Sequence, residues 1–101
     1  MDTYITLKSS AETQLTEKRS RFLAFALHAD NEEEAKNIVA AYKKKYYDAR
    51  HVCYAYVLGN DGKITRANDD GEPSGTAGRP ILGQIQSRNL TYTVGIAILE
   101  A

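Results

Sequence analysis

Twelve residues, Asp69-Asp70-Gly71-Glu72-Pro73-Ser74-Gly75-Thr76-Ala77-Gly78-Arg79-Pro80, hold three glycines and two prolines behind an acidic start, and no other stretch constrains the folding of this chain so strongly. Gly71, Gly75 and Gly78 permit backbone angles or close approaches that a β-carbon forbids. Pro73 and Pro80 fix φ and each remove an amide donor. The segment reads as a shaped loop feeding a helix, with Pro80 in the first turn, where a missing N–H costs nothing.

The rest of the chain divides around this loop. Residues 4–7, 12–17 and 22–29 read as three strands, the last a solid apolar run between basic and acidic borders. Asp30 or Asn31 then offers an N-cap, with Glu33 and Glu34 as its capping-box partners. Ala35, Ile38, Val39, Tyr42 and Tyr46 recur at helical spacing, and Lys43, Lys44 and Lys45 sit at the C-terminal end, where the dipole favours cations. Residues 51–58, His-Val-Cys-Tyr-Ala-Tyr-Val-Leu, are nearly all apolar or aromatic, as in a central strand with both faces at least partly covered. Gly59-Asn60-Asp61-Gly62 ends it, and residues 63–66 pair briefly as a short strand. Ile81, Leu82 and Ile85 form the buried side of a short second helix, and residues 92–99 make a last apolar strand. The expected fold is α+β: a two-layer sandwich in the order βββαβαβ, with a mostly antiparallel sheet of four to five strands and both helices on one face. On that arrangement Phe22, Tyr54 and Tyr56 stand together on the open face.

With 101 residues, one domain with one core is expected. Lys plus Arg equals Asp plus Glu at 13 each, so no global field draws the chain to nucleic acid or to an anionic membrane. The lone Cys53 forms no internal disulfide, and no signal or spanning segment is present, which implies the cytosol and no membrane partner.

Several constellations carry candidate chemistry. Asp69, Asp70 and Glu72 are hard oxygen donors of the kind that hold Mg²⁺ or Ca²⁺, but their spacing does not fit an EF-hand, and the plainer reading is an Asx turn. Ser74, Gly75, Thr76, Gly78 and Arg79 could converge amides and a guanidinium on a phosphate or carboxylate. They match neither a Walker A loop nor a dinucleotide fingerprint, and the alternative is close packing with Arg79 paired to the acidic residues. His51 and Cys53 share a strand face, the raw material of a nucleophile or a zinc site, without the rest of either set. Lys18, Arg19 and Arg21, followed by Phe22, form a basic cluster able to track a phosphate backbone beside aromatic rings, or simply a solvated turn.

Lys18-Arg19-Ser20-Arg21-Phe22, His51-Val52-Cys53-Tyr54-Ala55-Tyr56 and the Asp69 to Pro80 run together, in this order and spacing, resemble the YigZ/IMPACT family over most of the chain. The resemblance implies the IMPACT N-terminal domain, with the fold of the second domain of ribosomal protein S five, and a link to translation. The family's eukaryotic namesake looks like a regulator of the amino-acid starvation response. Family members continue the last strand into an Arg-Tyr-Phe/Tyr-Gly-Gly segment and a Gly-rich stretch, and bacterial members add a ferredoxin-like domain. Here Gly95 to Ala101 simply ends, so the reading expects a shortened domain whose exposed apolar surface a partner or a second copy covers.

Taken together, the sequence points to a non-enzymatic binding module tied to translation or its regulation, with a protein, ribosome or RNA partner. No catalytic residue, metal or cofactor is assigned. The alternative is a small-molecule or anion-binding protein or enzyme that uses the Asp69 to Pro80 loop.

Overall fold

In the computed structural model, residues 5–6, 11–17, 20–70 and 77–100 are described. They form β1 (Ala11–Glu17), β2 (Ser20–His28), α1 (Glu32–Lys45), β3 (His51–Leu58), β4 (Ile64–Asn68), α2 (Gly78–Ser87) and β5 (Thr93–Glu100). The five strands make one antiparallel sheet in the order β1-β2-β5-β3-β4. The apolar C-terminal strand is therefore central, between β2 and β3.

The α+β class, the antiparallel sheet and the two helices are as expected, but two details differ. The hairpin Gly59-Asn60-Asp61-Gly62, with both glycines at positive φ (88° and 66°), lets Ile64–Asn68 pair fully with β3, so the described order is ββαββαβ. Of residues 4–7, only Ile5 and Thr6 are described, and Ile5 makes an isolated parallel bridge to Leu90.

The second difference is the layering, because the helices lie on opposite faces of the sheet. Val52, Tyr56 and Leu58 of β3 pack with Val94, Ile96 and Ile98 of β5 and with Ala35 and Val39 of α1. The intervening Ala55 and Val57 pack with Ile85, Ile81 and Leu82 of α2. Side chains alternate across a strand, so a β3 that is apolar on both sides needs cover on both sides, and each helix supplies one.

α1 begins where its caps direct. The Asn31 side chain accepts the Glu34 amide at 2.8 Å, Glu32, Glu33 and Glu34 fill the first turn, and Lys43, Lys44 and Lys45 fill the last. α2 starts at Gly78, two residues before Pro80. The proline still falls among the first residues of the helix, whose amides have no intrahelical acceptor.

Candidate functional site

The acidic start of the Gly/Pro run folds back on the ends of its neighbours. One Asp69 carboxylate oxygen accepts the backbone N–H groups of Ala77 at 3.0 Å and Gly78 at 2.6 Å. Ala77, the N-cap of α2, has no side-chain cap of its own; Asp69 performs that task from the other side of the loop and places its negative charge at the positive end of the helix dipole. The Asp70 carboxylate accepts the Val52 amide at 2.7 Å. Its backbone carbonyl accepts the His51 Nδ1–H at 2.8 Å, and its own amide donates to the Asn68 side chain at 2.8 Å. Asp70 reaches these partners in the left-handed region, at φ 50°, a conformation that Asp tolerates better than most residues.

Gly78 completes this junction. A β-carbon there would stand 2.7 Å from the Asn68 backbone nitrogen and 2.9 Å from its carbonyl carbon, so only glycine lets α2 start against the end of β4. Cys53 points its thiol at the Asp69 carbonyl, at 3.4 Å. His51 and Cys53 thus meet the acidic run, and among the described residues no three His, Cys, Asp or Glu side chains converge as metal ligands would. The anion reading of the loop gains nothing from the amides of Ala77 and Gly78, because the chain's own carboxylate accepts from both. Glu72, Ser74, Gly75 and Thr76 lie outside the described residues, and Arg79 is exposed.

The expected aromatic surface is not assembled. Tyr54 and Tyr56 do share a side, their rings 6.4 Å apart and nearly parallel at 14°, but it is the α1 side, and Tyr56 is buried. Phe22 pairs with Leu99, whereas Tyr54 pairs with Ile96. The odd parity puts Phe22, 37% exposed, on the α2 side of the sheet. Lys18 and Arg19 lie outside the described residues, as does the side chain of Arg21.

Four features escaped the sequence reading. The Tyr56 hydroxyl donates to Glu32 at 2.7 Å; burial first, and then this carboxylate, pushes the phenol up to about 12. Around the neighbouring Tyr54, Lys43 of α1 places its ammonium 5.8 Å from the ring centroid, and Arg66 of β4, opposite Tyr56, stands on the same side of the sheet. On the opposite side of the sheet an open groove of about 250 Å³ runs beside α2, among Ala24, Ala26, Ile81, Ile85, Gly95 and Ala97. A chain of hydrogen bonds also links Thr6 Oγ1 to His28 Nδ1 at 2.8 Å and His28 Nε2 to Asp30 at 2.6 Å. It ties the described N-terminal residues to the start of α1.

With this geometry in place, comparison with known proteins identifies the architecture. The Impact N-terminal domain model matches residues 18–98. This chain belongs to the IMPACT family. It is 38% identical over 96 residues to IMPACT family member YvyE of Bacillus subtilis (strain 168), covering 95% of this chain and 44% of that protein. It is 37% identical over 83 residues to IMPACT family member YigZ of Escherichia coli (strain K12), covering 80% of this chain and 41% of that protein. A Thermus thermophilus family member is 42% identical over 81 residues, covering 80% and 42%. A solved structure described as a hypothetical protein superposes over the whole chain and half of its own length, with a TM-score of 0.94 and 31% identity. This IMPACT-family chain therefore spans less than half the length of the curated relatives it matches.

Proposed function

We propose that this chain is a non-enzymatic binding module of the translation apparatus or its regulation, acting in the cytosol, and that it receives a protein partner on the α2 side of the sheet. The observation that carries the reading is the apolar groove beside α2. Concave apolar surface left in water is the usual mark of a binding site. Ala24, Ala26 and Ala97 make a floor of small residues that lets another backbone approach closely, and the exposed Phe22 extends the same side of the sheet. The loop favours binding over acid/base chemistry, since Asp69 and Asp70 spend their carboxylates on backbone amides of this chain.

The test places a photo-crosslinking residue at the exposed position Gln84 and irradiates the protein in cell extract. Crosslinks to ribosomal proteins or translation factors, lost when Ala24→Arg fills the groove, are the expected result. Crosslinks to a second copy of the chain would make the groove a homodimer surface instead. Salt-sensitive retention of RNA that persists in Ala24→Arg and disappears in Arg79→Ala would move the contact to nucleic acid.

A further inference from the structure

β4 forms one edge of the sheet, and no described strand pairs with its outer side. Residues 64–67 are all exposed. An unpaired edge presents a row of N–H and C=O groups at strand spacing, which is a template for another extended chain.

The side chains around this edge narrow the choice of partner. Ile64 and Arg66 point to the α1 side, opposite Leu58 and Tyr56, and Ile64 is 46% exposed. Arg66 stands opposite Tyr56, on the side of the sheet that Tyr54 shares, and Lys43 lies over the Tyr54 ring from α1, so two cations flank one pair of aromatic rings. Lys63 precedes the strand directly. Of the carboxylates beside them, Glu32 accepts the Tyr56 hydroxyl and Asp61 accepts the Lys63 amide at the head of the strand.

We propose that β4 binds an extended acidic segment of a partner protein, which adds a sixth strand to the sheet. In such a pairing, residues two apart on the incoming strand face the same side, so an apolar residue set against Ile64 is followed by a carboxylate set against Arg66 and within reach of Lys43. Backbone pairing supplies affinity, and the alternation of charge and apolar surface supplies selectivity. A peptide fits this edge better than a nucleic acid does. The edge alternates donors and acceptors, which a peptide backbone complements and a row of phosphates does not. The surface lies at the far edge of the sheet from the groove beside α2, so the two sites stand or fall separately.

The experiment titrates the ¹⁵N-labelled chain with the synthetic peptide acetyl-Thr-Val-Thr-Glu-Thr-Val-Thr-Glu-Thr-amide, in which valine and glutamate alternate along one side, and with its counterpart carrying lysine for glutamate, reading amide shifts and hydrogen exchange. The glutamate peptide is expected to shift and protect the amides of Ile64–Asn68 and to bind at least about tenfold more tightly than the lysine peptide. Arg66→Glu, at an exposed position and therefore compatible with folding, should reverse that preference, and Arg66→Lys should largely keep it. Equal binding of both peptides, absence of protection in β4, or an unchanged preference in Arg66→Glu would overturn the proposal. Saturable binding of oligouridine at these amides, displacing the glutamate peptide, would overturn it in favour of RNA.

Discussion

Asp69 and Asp70 show how one side chain decides the meaning of a motif. Two adjacent carboxylates look like metal ligands or catalytic acids, yet each is bonded to backbone amides at the ends of other elements: Asp69 at the start of α2 and Asp70 at the start of β3. Capping residues of this kind contribute about 0.5–2 kcal/mol. Asp69 serves two amides, one of them on the buried Gly78, which places it toward the upper end of that range. Asp69→Ala is therefore expected to destabilise the fold by about 2 kcal/mol in urea denaturation, and Asp69→Asn by less, since one acceptor oxygen remains. A midpoint for Asp69→Ala equal to that of the parent chain would show that the amides of Ala77 and Gly78 find other partners.

At the scale of elements, α2 is positioned by glycines with different duties. Gly78 sits against the Asn68 backbone, where an added β-carbon meets atoms that cannot rotate away. Gly83, on the exposed side of the same helix, has nothing within 4 Å of that position. Gly83→Ala should stabilise the protein by about 0.5–1 kcal/mol through helix propensity alone. Gly78→Ala should cost about 1–3 kcal/mol through overpacking, although the intrinsic propensity change is the same. Urea midpoints moving in opposite directions for these two identical substitutions would confirm that tertiary contact, and not propensity, governs the start of α2. The limits of α1 were legible because its signals are local: Asn31, the acidic first turn and the three lysines act within a few residues of where they stand. The start of α2 was harder to read. Its cap is eight residues upstream of Ala77, in a residue whose reach depends on how the loop closes.

For the whole molecule, the two sides of the sheet differ in what they bury. The α1 side holds the larger cluster and the Tyr56–Glu32 hydrogen bond that joins β3 to the head of α1. Tyr56 is fully buried, and its phenol is raised from the ordinary 10.0 to about 12. The fold therefore favours the neutral phenol. That stabilisation is complete below a pH of about 10, where the unfolded phenol also keeps its proton, and it is lost as pH rises toward about 12, to an extent on the order of 2 kcal/mol. Denaturation curves taken from about pH 8 to about pH 12 should show the parent chain losing that much more stability than Tyr56→Phe. Parallel losses would mean that Tyr56 ionises as easily in the folded state as in the unfolded one.

The sequence by itself determined the two helices and the strands β1, β2, β3 and β5, because apolar runs, caps and turn glycines act over a few residues, and it determined the family, because three motifs stand in a fixed order. It could not determine which side of the sheet each helix covers, since β3 is apolar on both sides and periodicity has no preference between them. Nor could it tell that Phe22 and Tyr54 face opposite ways. That parity follows from the pairing of β2 and β3 with β5, contacts between residues some forty to eighty positions apart. The groove beside α2 and the cations around Tyr54 at the β4 edge arise from the same long-range registers, and only the tertiary structure, where those strands meet, brought them into being.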